Sequence, residues 1–378
     1  MNKHLPKIPL VDLRLQHQPI QTQIQQAIAE IIQRGDFILG QALTEFETTF
    51  AAACGVQYGI GVACGTDAIA LGLQACGIHP GDEVIIPANT FIATIIAVLQ
   101  ANAVPVLVDC DPDTALIDLK AAETAITSKT KAIIPVHLYG QMVSPTKLLD
   151  LANRHNLIVF EDAAQAHLAS REGYRAGSFG KAAAFSFYPS KNLGSFGDGG
   201  MLITNDAAIA EKMRTLRNYG APSKYLHTEI GTNSRLDNLQ AAVLNIKLPY
   251  LEKWNRDRNQ AAEHYNTLLE PLNRKGIVPM QNHSGSGNIY HLYVIRVTGK
   301  SAINRNALQE KLAANGIQTG IHYPVPCHLQ PAYQNLGNPG DFPHTETLCQ
   351  QILSLPMYPG LSNTQIEQVA RAIELSLP

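Results

Sequence analysis

The sequence predicts an α/β fold, a mainly parallel sheet flanked by helices, with a smaller C-terminal α+β domain. Two observations carry this. From Tyr58 to about Thr204, short runs rich in Val and Ile alternate with longer stretches of helical composition, the pattern of successive βαβ units. After Arg235, the segment Leu236–Leu248 places apolar residues at helical spacing, and Pro249 kinks that helix or restarts it, so a second domain begins nearby. The expected division is residues 1–248 for the large domain, N-terminal segment included, and 249–378 for the small one.

The expected strands are Gly59–Ala63, Glu83–Pro87, Pro105–Asp109, Ala132–Val136, Leu157–Phe160 and Ala183–Tyr188. Several run into polar residues or turns, and ligands of open α/β sheets gather beyond the carboxyl ends of strands. Phe91–Val108 is the most apolar stretch, but Gln100, Asn102 and Pro105 interrupt it, so it reads as a helix followed by a strand and not as a membrane span. Further on, Asn282–Asn288 reads as a loop, His291–Val297 as a strand, and a helix is expected to start near Ser301, a good N-cap residue.

Composition narrows the function classes. Apolar residues make up 45% and charged residues 16% of 378 positions, which suits a compact enzyme and excludes a disordered chain. The net charge of −2, with both signs spread along the chain, leaves no footprint for nucleic acid or an anionic membrane. Six cysteines without a CxxC pair read as reduced thiols, and the first residues hold no apolar run of the secretory kind, so a cytoplasmic location is expected. The thirteen histidines fall in no HExxH or Cys/His ligand spacing, and no GxSxG elbow is present, so neither a metal site nor serine chemistry is expected.

Three segments carry chemistry. In Phe185–Gly200 a strand runs into a turn that holds one lysine, Lys191, among small and polar residues. Partial burial at a strand end lowers a lysine pKa and frees its amine to form a Schiff base, although a single turn lysine is ordinarily just solvated. In Asn156–His167 a hydrophobic strand ends in Glu161-Asp162 followed by small residues. Asp162 can keep a pyridine nitrogen protonated, or it can cap the next helix; Gln165 can meet a ring oxygen. In Tyr58–Ala70 a strand, a Gly65-Thr66 turn and a helix aim free N–H groups at one spot, an anion site that Ser186 can extend. Neither the dinucleotide fingerprint nor the Walker pattern occurs there. Phe91, after the strand Glu83–Pro87, can stack on a flat ring or serve as plain core.

Taken in order, Cys64-Gly-Thr-Asp-Ala, Pro87-Ala-Asn-Thr-Phe, Pro135-Val-His-Leu-Tyr-Gly, Glu161-Asp-Ala-Ala-Gln-Ala, Ser186-Phe-Tyr-Pro-Ser-Lys-Asn-Leu-Gly, Gly197-Asp-Gly-Gly, Asn233-Ser-Arg-Leu and His322-Tyr-Pro-Val-Pro resemble the DegT/StrS-type sugar aminotransferases over nearly the whole chain. The resemblance implies the aspartate-aminotransferase fold and pyridoxal 5'-phosphate as cofactor. It implies that Lys191 holds the cofactor as a Schiff base, Asp162 binds its ring nitrogen, Gln165 meets the ring hydroxyl and Phe91 covers one face. Gly65, Thr66 and Ser186 are implied at the phosphate, with Asn233 reaching that of the neighbouring subunit, hence a homodimer with shared active sites. Arg235, His322 and Tyr323 are implied on the substrate side. The segment from Ile321 is similar to members that act on nucleotide-linked 3-keto sugars with L-glutamate as amino donor, and Cys327 departs from the aliphatic residue of that pattern. Two alternatives stay open: amination at C4, and a catalytically silent regulator, whose mark would be a lost lysine or acid.

Overall fold

The structure is a computed structural model that describes residues 7–377. A seven-stranded sheet comprises β1 (Tyr58–Val62), β2 (Glu83–Pro87), β3 (Val104–Val108), β4 (Thr130–Ile133), β5 (Ile158–Asp162), β6 (Ala182–Ser186) and β7 (Gly200–Thr204). Their order is β1-β7-β6-β5-β4-β2-β3, and β7 runs antiparallel to both its neighbours while every other pair is parallel. The expected α/β architecture is therefore present. The strand Gly200–Thr204 was absent from the expected set, and it is the one that runs backwards.

Alternation along the strands feeds two cores, one on each face of the sheet. Ala182, Ala184 and Leu202 point to a core shared with the helices Gly65–Ala75 and Ile92–Gln100. Ala183, Phe185, Met201 and Ile203 point to the other, shared with Gln41–Cys54 and Asn238–Lys247. With helices on both faces, the central strands are buried throughout, which is why they read as continuous apolar runs. Because β7 is reversed, the loop Phe187–Gly199 leaves the sheet and re-enters it at the same edge, where β1, β2, β5 and β6 also end.

A second unit is built on the antiparallel sheet β8 (Ile277–Pro279), β9 (Tyr293–Val297) and β10 (Ile352–Leu355), in that order, packed by the helices Leu251–Leu269, Arg305–Ala314 and Asn363–Ser376. Pro249 lies in a 3-10 turn, Leu248–Tyr250, after which the chain starts a new helix. The helix expected from Ser301 begins at Arg305 instead, because Asn304 supplies the cap, accepting from the Ala307 N–H at 2.9 Å. Ile8 was assigned with the large domain, yet it pairs with Ile317 and lies 3% exposed in the core of the second unit. Among the described residues no helix is long and apolar enough to cross a membrane.

Candidate active site

The carboxyl edge of the large sheet borders a cleft of about 350 Å³ that reaches to the second unit. Lys191 enters it from a tightly tied loop. The Phe187 N–H donates to Gly199 O at 2.8 Å, the Ser195 N–H to Phe187 O at 2.8 Å and the Lys191 N–H to Tyr188 O at 2.8 Å. From behind, Gln240 accepts from the Phe196 N–H at 2.8 Å and the Lys247 ammonium donates to Gly194 O. The Lys191 side chain is half-buried and makes no hydrogen bond among the described residues. Burial pushes its pKa down to about 8, opposed by the charge of Asp162. A free amine is thus accessible near neutral pH.

Asp162 ends β5 and is 5% exposed. Its Oδ2 accepts from Thr94 Oγ1 at 2.8 Å and its Oδ1 from the Ala164 N–H at 3.1 Å. Burial raises its pKa, and these two donors and the Lys191 charge pull it back. No helix follows Asp162, so the capping alternative is not realised. Gln165 accepts from the Tyr139 N–H at 2.7 Å and donates to Tyr323 OH at 3.2 Å. The first of these bonds fixes the amide, because a backbone N–H only donates: Oε1 faces Tyr139 and Nε2 faces the Tyr323 hydroxyl.

At the other end stands the helix Gly65–Ala75, capped by Cys64, whose sulfur accepts from the Asp67 N–H at 3.4 Å. The N–H groups of Gly65 and Thr66 lie in the first turn, where a helix has no internal acceptor for them. Two glycines make room. A Cβ on Gly65 would lie 2.9 Å from Ser186 Cβ, and one on Gly200 would lie 2.3 Å from the Cys64 carbonyl carbon. Ser186 is held at this spot because its carbonyl accepts from His167 Nε2 at 2.9 Å. Phe91 is half exposed, its ring 5.2 Å from that of Tyr323. His322 bonds Ser354 Oγ through Nδ1 at 2.8 Å, and burial together with the Lys191 charge lowers its pKa to about 4.

Nine of the eleven residues expected from sequence therefore line one cleft: Gly65, Thr66, Phe91, Asp162, Gln165, Ser186, Lys191, His322 and Tyr323. Asn233 and Arg235 do not. The segment Asn218–Asn233 folds back on itself, with Tyr219 donating its N–H to Thr232 O at 2.9 Å, and leaves Asn233 exposed and Arg235 bonded to Asn218 Oδ1 at 3.0 Å over the Tyr219 ring. Arg235 is thus not grouped with His322 and Tyr323 within this chain.

Sequence reasoning missed Thr94, His167 and His291. Thr94 is one helical turn after Thr90, which it contacts at 2.9 Å, and only the fold brings it to Asp162. Also missed was the buried pair His137 and Glu161, 3.0 Å apart, in which Glu161 accepts the N–H groups of Gly177, Phe179 and Gly180. Since His137 Nδ1 accepts from the Val143 N–H, its Nε2 donates to Glu161.

These groups fit pyridoxal phosphate: an open helix end with room for a phosphate, a buried acid at the opposite end, and in the same cleft a lysine without a partner among the described residues. A match to the DegT/DnrJ/EryC1/StrS aminotransferase family spans residues 18–374. The chain is 44% identical to a pleiotropic regulatory protein of Geobacillus stearothermophilus over 97% of each chain. It is 43% identical to the dTDP-3-amino-3,4,6-trideoxy-alpha-D-glucose transaminase of Streptomyces venezuelae, over 97% of this chain and 96% of that one. Identity is 42% to the UDP-N-acetyl-3-dehydro-alpha-D-glucosamine 3-aminotransferase of Acidithiobacillus ferrooxidans, over 98% of each. The fold superposes on S. venezuelae DesV in complex with a ketimine intermediate with a TM-score of 0.94, at 43% identity and covering 98% and 99% of the two chains. On NtdA of Bacillus subtilis with bound cofactor PMP the TM-score is 0.91, at 34% identity and covering 99% of this chain and 86% of that one. With its lysine, acid and open helix turn all in one cleft, this chain belongs to the DegT/DnrJ/EryC1/StrS aminotransferase family.

Proposed function

We propose that the protein is a pyridoxal-phosphate-dependent aminotransferase that moves the amino group of L-glutamate onto a nucleotide-linked 3-keto sugar, acting as a cytoplasmic homodimer with shared active sites. The observation that carries this is Lys191, without a partner among the described residues and with its pKa pushed down to about 8, in one cleft with Asp162. When bound, the cofactor supplies a carbon that carries the amino group between substrates and a ring that takes up the electrons of a broken Cα–H bond. Lys191 tethers the cofactor, and once displaced its Nζ takes the proton from the amino-acid Cα and delivers it again on the far side of the exchange. Asp162, held by Thr94 and Ala164, keeps a proton on the ring nitrogen. The N–H groups of Gly65 and Thr66 bind the phosphate, with Ser186 beside them, and Gln165, Tyr323 and Phe91 confine the ring. His322 is neutral at working pH, which suits a wall that must admit both a carboxylate and a sugar.

The 3-keto reading is supported by relatives named for amination at C3, on a dTDP-linked and a UDP-linked sugar. Shared sites are supported by Asn233, which lies outside its own chain's cleft, and by exposed apolar side chains on the segment before it: Tyr225, Leu226 and Ile230, the last 96% exposed. A second reading, a regulator, is favoured by the name of one relative. Retention of Lys191 and Asp162 supports catalysis. The test is the visible spectrum of the purified protein before and after L-glutamate, then the position of nitrogen in the sugar product by NMR. A yellow band that bleaches and a C3 amine are expected. No band after reconstitution favours the regulator, and a C4 amine overturns the 3-keto assignment.

A further inference from the structure

Among the described residues, the buried acid of the cleft is hydrogen-bonded by donors alone. Asp162 Oδ2 accepts from Thr94 Oγ1 at 2.8 Å, and Oδ1 accepts from the Ala164 N–H at 3.1 Å. The Thr94 hydroxyl has one proton, and the carboxylate takes it. Thr90 Oγ1, 2.9 Å from Thr94 Oγ1, is therefore the donor of that pair. The bonds run in one direction, from Thr90 to Thr94 to Asp162, with each O–H pointing toward the acid.

Both threonines are buried and line the cleft. Thr94 lies in the first turn of the helix Ile92–Gln100, where its N–H donates to Phe91 O at 3.1 Å. The Thr90 carbonyl accepts from Cys327 Sγ at 3.2 Å, and burial, which pushes that thiol up to about 12, keeps it a donor. Cys327 is the position at which the segment after His322 departs from an aliphatic residue, and this contact gives the departure a role.

A carboxylate bonded to a pyridine nitrogen shares one proton with it, and the proton rests on the partner that holds it better. Burial raises the Asp162 pKa and so draws the proton to the acid, the wrong side for a ring that must take up electrons. The other ionisable groups that face Asp162 are Lys191, His137 and Tyr323. His137 donates to Glu161 instead, and the Tyr323 hydroxyl accepts from Gln165. Lys191 opposes burial through its charge, but its nitrogen changes partners during amino transfer. The two hydroxyls are constant, and an O–H aimed at a carboxylate stabilises the ionised form more than the neutral one.

We propose that Thr90 and Thr94 are positioning residues, a two-hydroxyl relay that places the shared proton on the cofactor's ring nitrogen and not on Asp162. The proposal rests on the aminotransferase reading above, because the bound pyridine ring supplies that nitrogen.

The test is 15N NMR of the enzyme loaded with pyridoxal phosphate labelled at the ring nitrogen, paired with single turnovers with L-glutamate followed by the visible band. In wild type the ring nitrogen is expected to be protonated. Thr94→Val should move its signal toward the unprotonated range and slow the turnover roughly tenfold, the worth of one hydrogen bond to a charged group, with half-saturation little changed. Thr94→Ser, which keeps the hydroxyl, should restore both. Thr90→Val removes a donor to a hydroxyl and leaves the donor to the carboxylate, so it should give the same shift in smaller measure and slow turnover about threefold. An unprotonated ring nitrogen in wild type overturns the proposal, and so does an unmoved signal in Thr94→Val even if turnover slows, since that marks a merely structural role. Thr90→Val equal to wild type in both readings overturns the relay. Should Thr94→Val fail to fold, Thr94→Ala is read in the same way. The 15N signal needs only bound cofactor, so a wild type that holds the cofactor but does not bleach with glutamate marks failure of the aminotransferase reading, a separate outcome.

Discussion

Two lysines meet at the loop Phe187–Gly199, Lys191 half-buried on it and Lys247 buried behind it, and burial pushes both pKa values down to about 8. Lys247, behind the loop, is 1% exposed and saturated with partners: it donates to Gly194 O and to His17 Nε2 at 3.0 Å and lies 5.5 Å from the Phe196 ring centroid. Lys191, in front, is more exposed and has no partner among the described residues. A depressed pKa therefore does not distinguish a nucleophile from a strut. The distinction lies in what the nitrogen is free to do: one lysine holds the loop, and the other is held out by it.

The sharpest break of this comparison exchanges the roles by mutation. Lys191→Ala is expected to lower single-turnover amino transfer by at least about a thousandfold, as for loss of a positioned proton carrier, whereas Lys247→Met keeps it within about tenfold. Comparable losses in both would erase the distinction. Asp162→Asn should come next, with a loss of roughly a hundredfold while the cofactor remains bound, because a neutral amide cannot keep the ring nitrogen protonated. Its rate is read by the same absorbance change, and the bound cofactor by the visible band.

A titration sharpens the comparison from the stability side. For Lys247 the folded pKa of about 8 lies below the usual 10.5, so between these values the unfolded chain holds more protons and stability rises with pH. Urea unfolding of wild type relative to Lys247→Met should show a gain of about 3 kcal/mol from pH 8 to pH 10.5, and none below pH 7. A flat difference would mean that Lys247 stays charged throughout. The smallest effect is expected at the anion-binding turn, where Gly65→Ala puts a methyl 2.9 Å from Ser186 Cβ. Equilibrium dialysis should find cofactor affinity weakened by roughly tenfold, the cost of modest overpacking.

Much of this was legible in the sequence because it is local. Lys191, Asp162, Gln165 and the Gly65-Thr66 turn each sit in a short motif at a strand end, and the short Val- and Ile-rich runs between helical stretches identified six of the seven strands of the large sheet. The seventh, Gly200–Thr204, was hidden because it opens on the glycine that closes the lysine loop, so motif and strand run together. The partners of these residues were not legible. Thr94 and Asp162 are separated by 68 positions, and Asn192 and His291 by 99. No spacing rule reaches across such distances, and Thr94 and Asn192 read singly as ordinary helix and turn residues. Arg235 lies apart from the others within this chain for the opposite reason: it is two positions from Asn233, and the fold-back of Asn218–Asn233 turns that segment out of its own chain's cleft.

The reversed strand β7 also sets a timetable. Among the described residues it is the only neighbour of β1 in the sheet, pairing Tyr58–Val62 with Gly200–Thr204 across some 140 positions of chain. During synthesis the turn at Gly65 therefore emerges long before the strand that seats it against Ser186, and a pairing so distant in sequence is slow to close. Cofactor capture becomes a late event that a nascent or misregistered chain cannot achieve. Since a ligand that binds only the native state stabilises that state alone, the cofactor acts as a selector of correctly threaded molecules as well as a reagent.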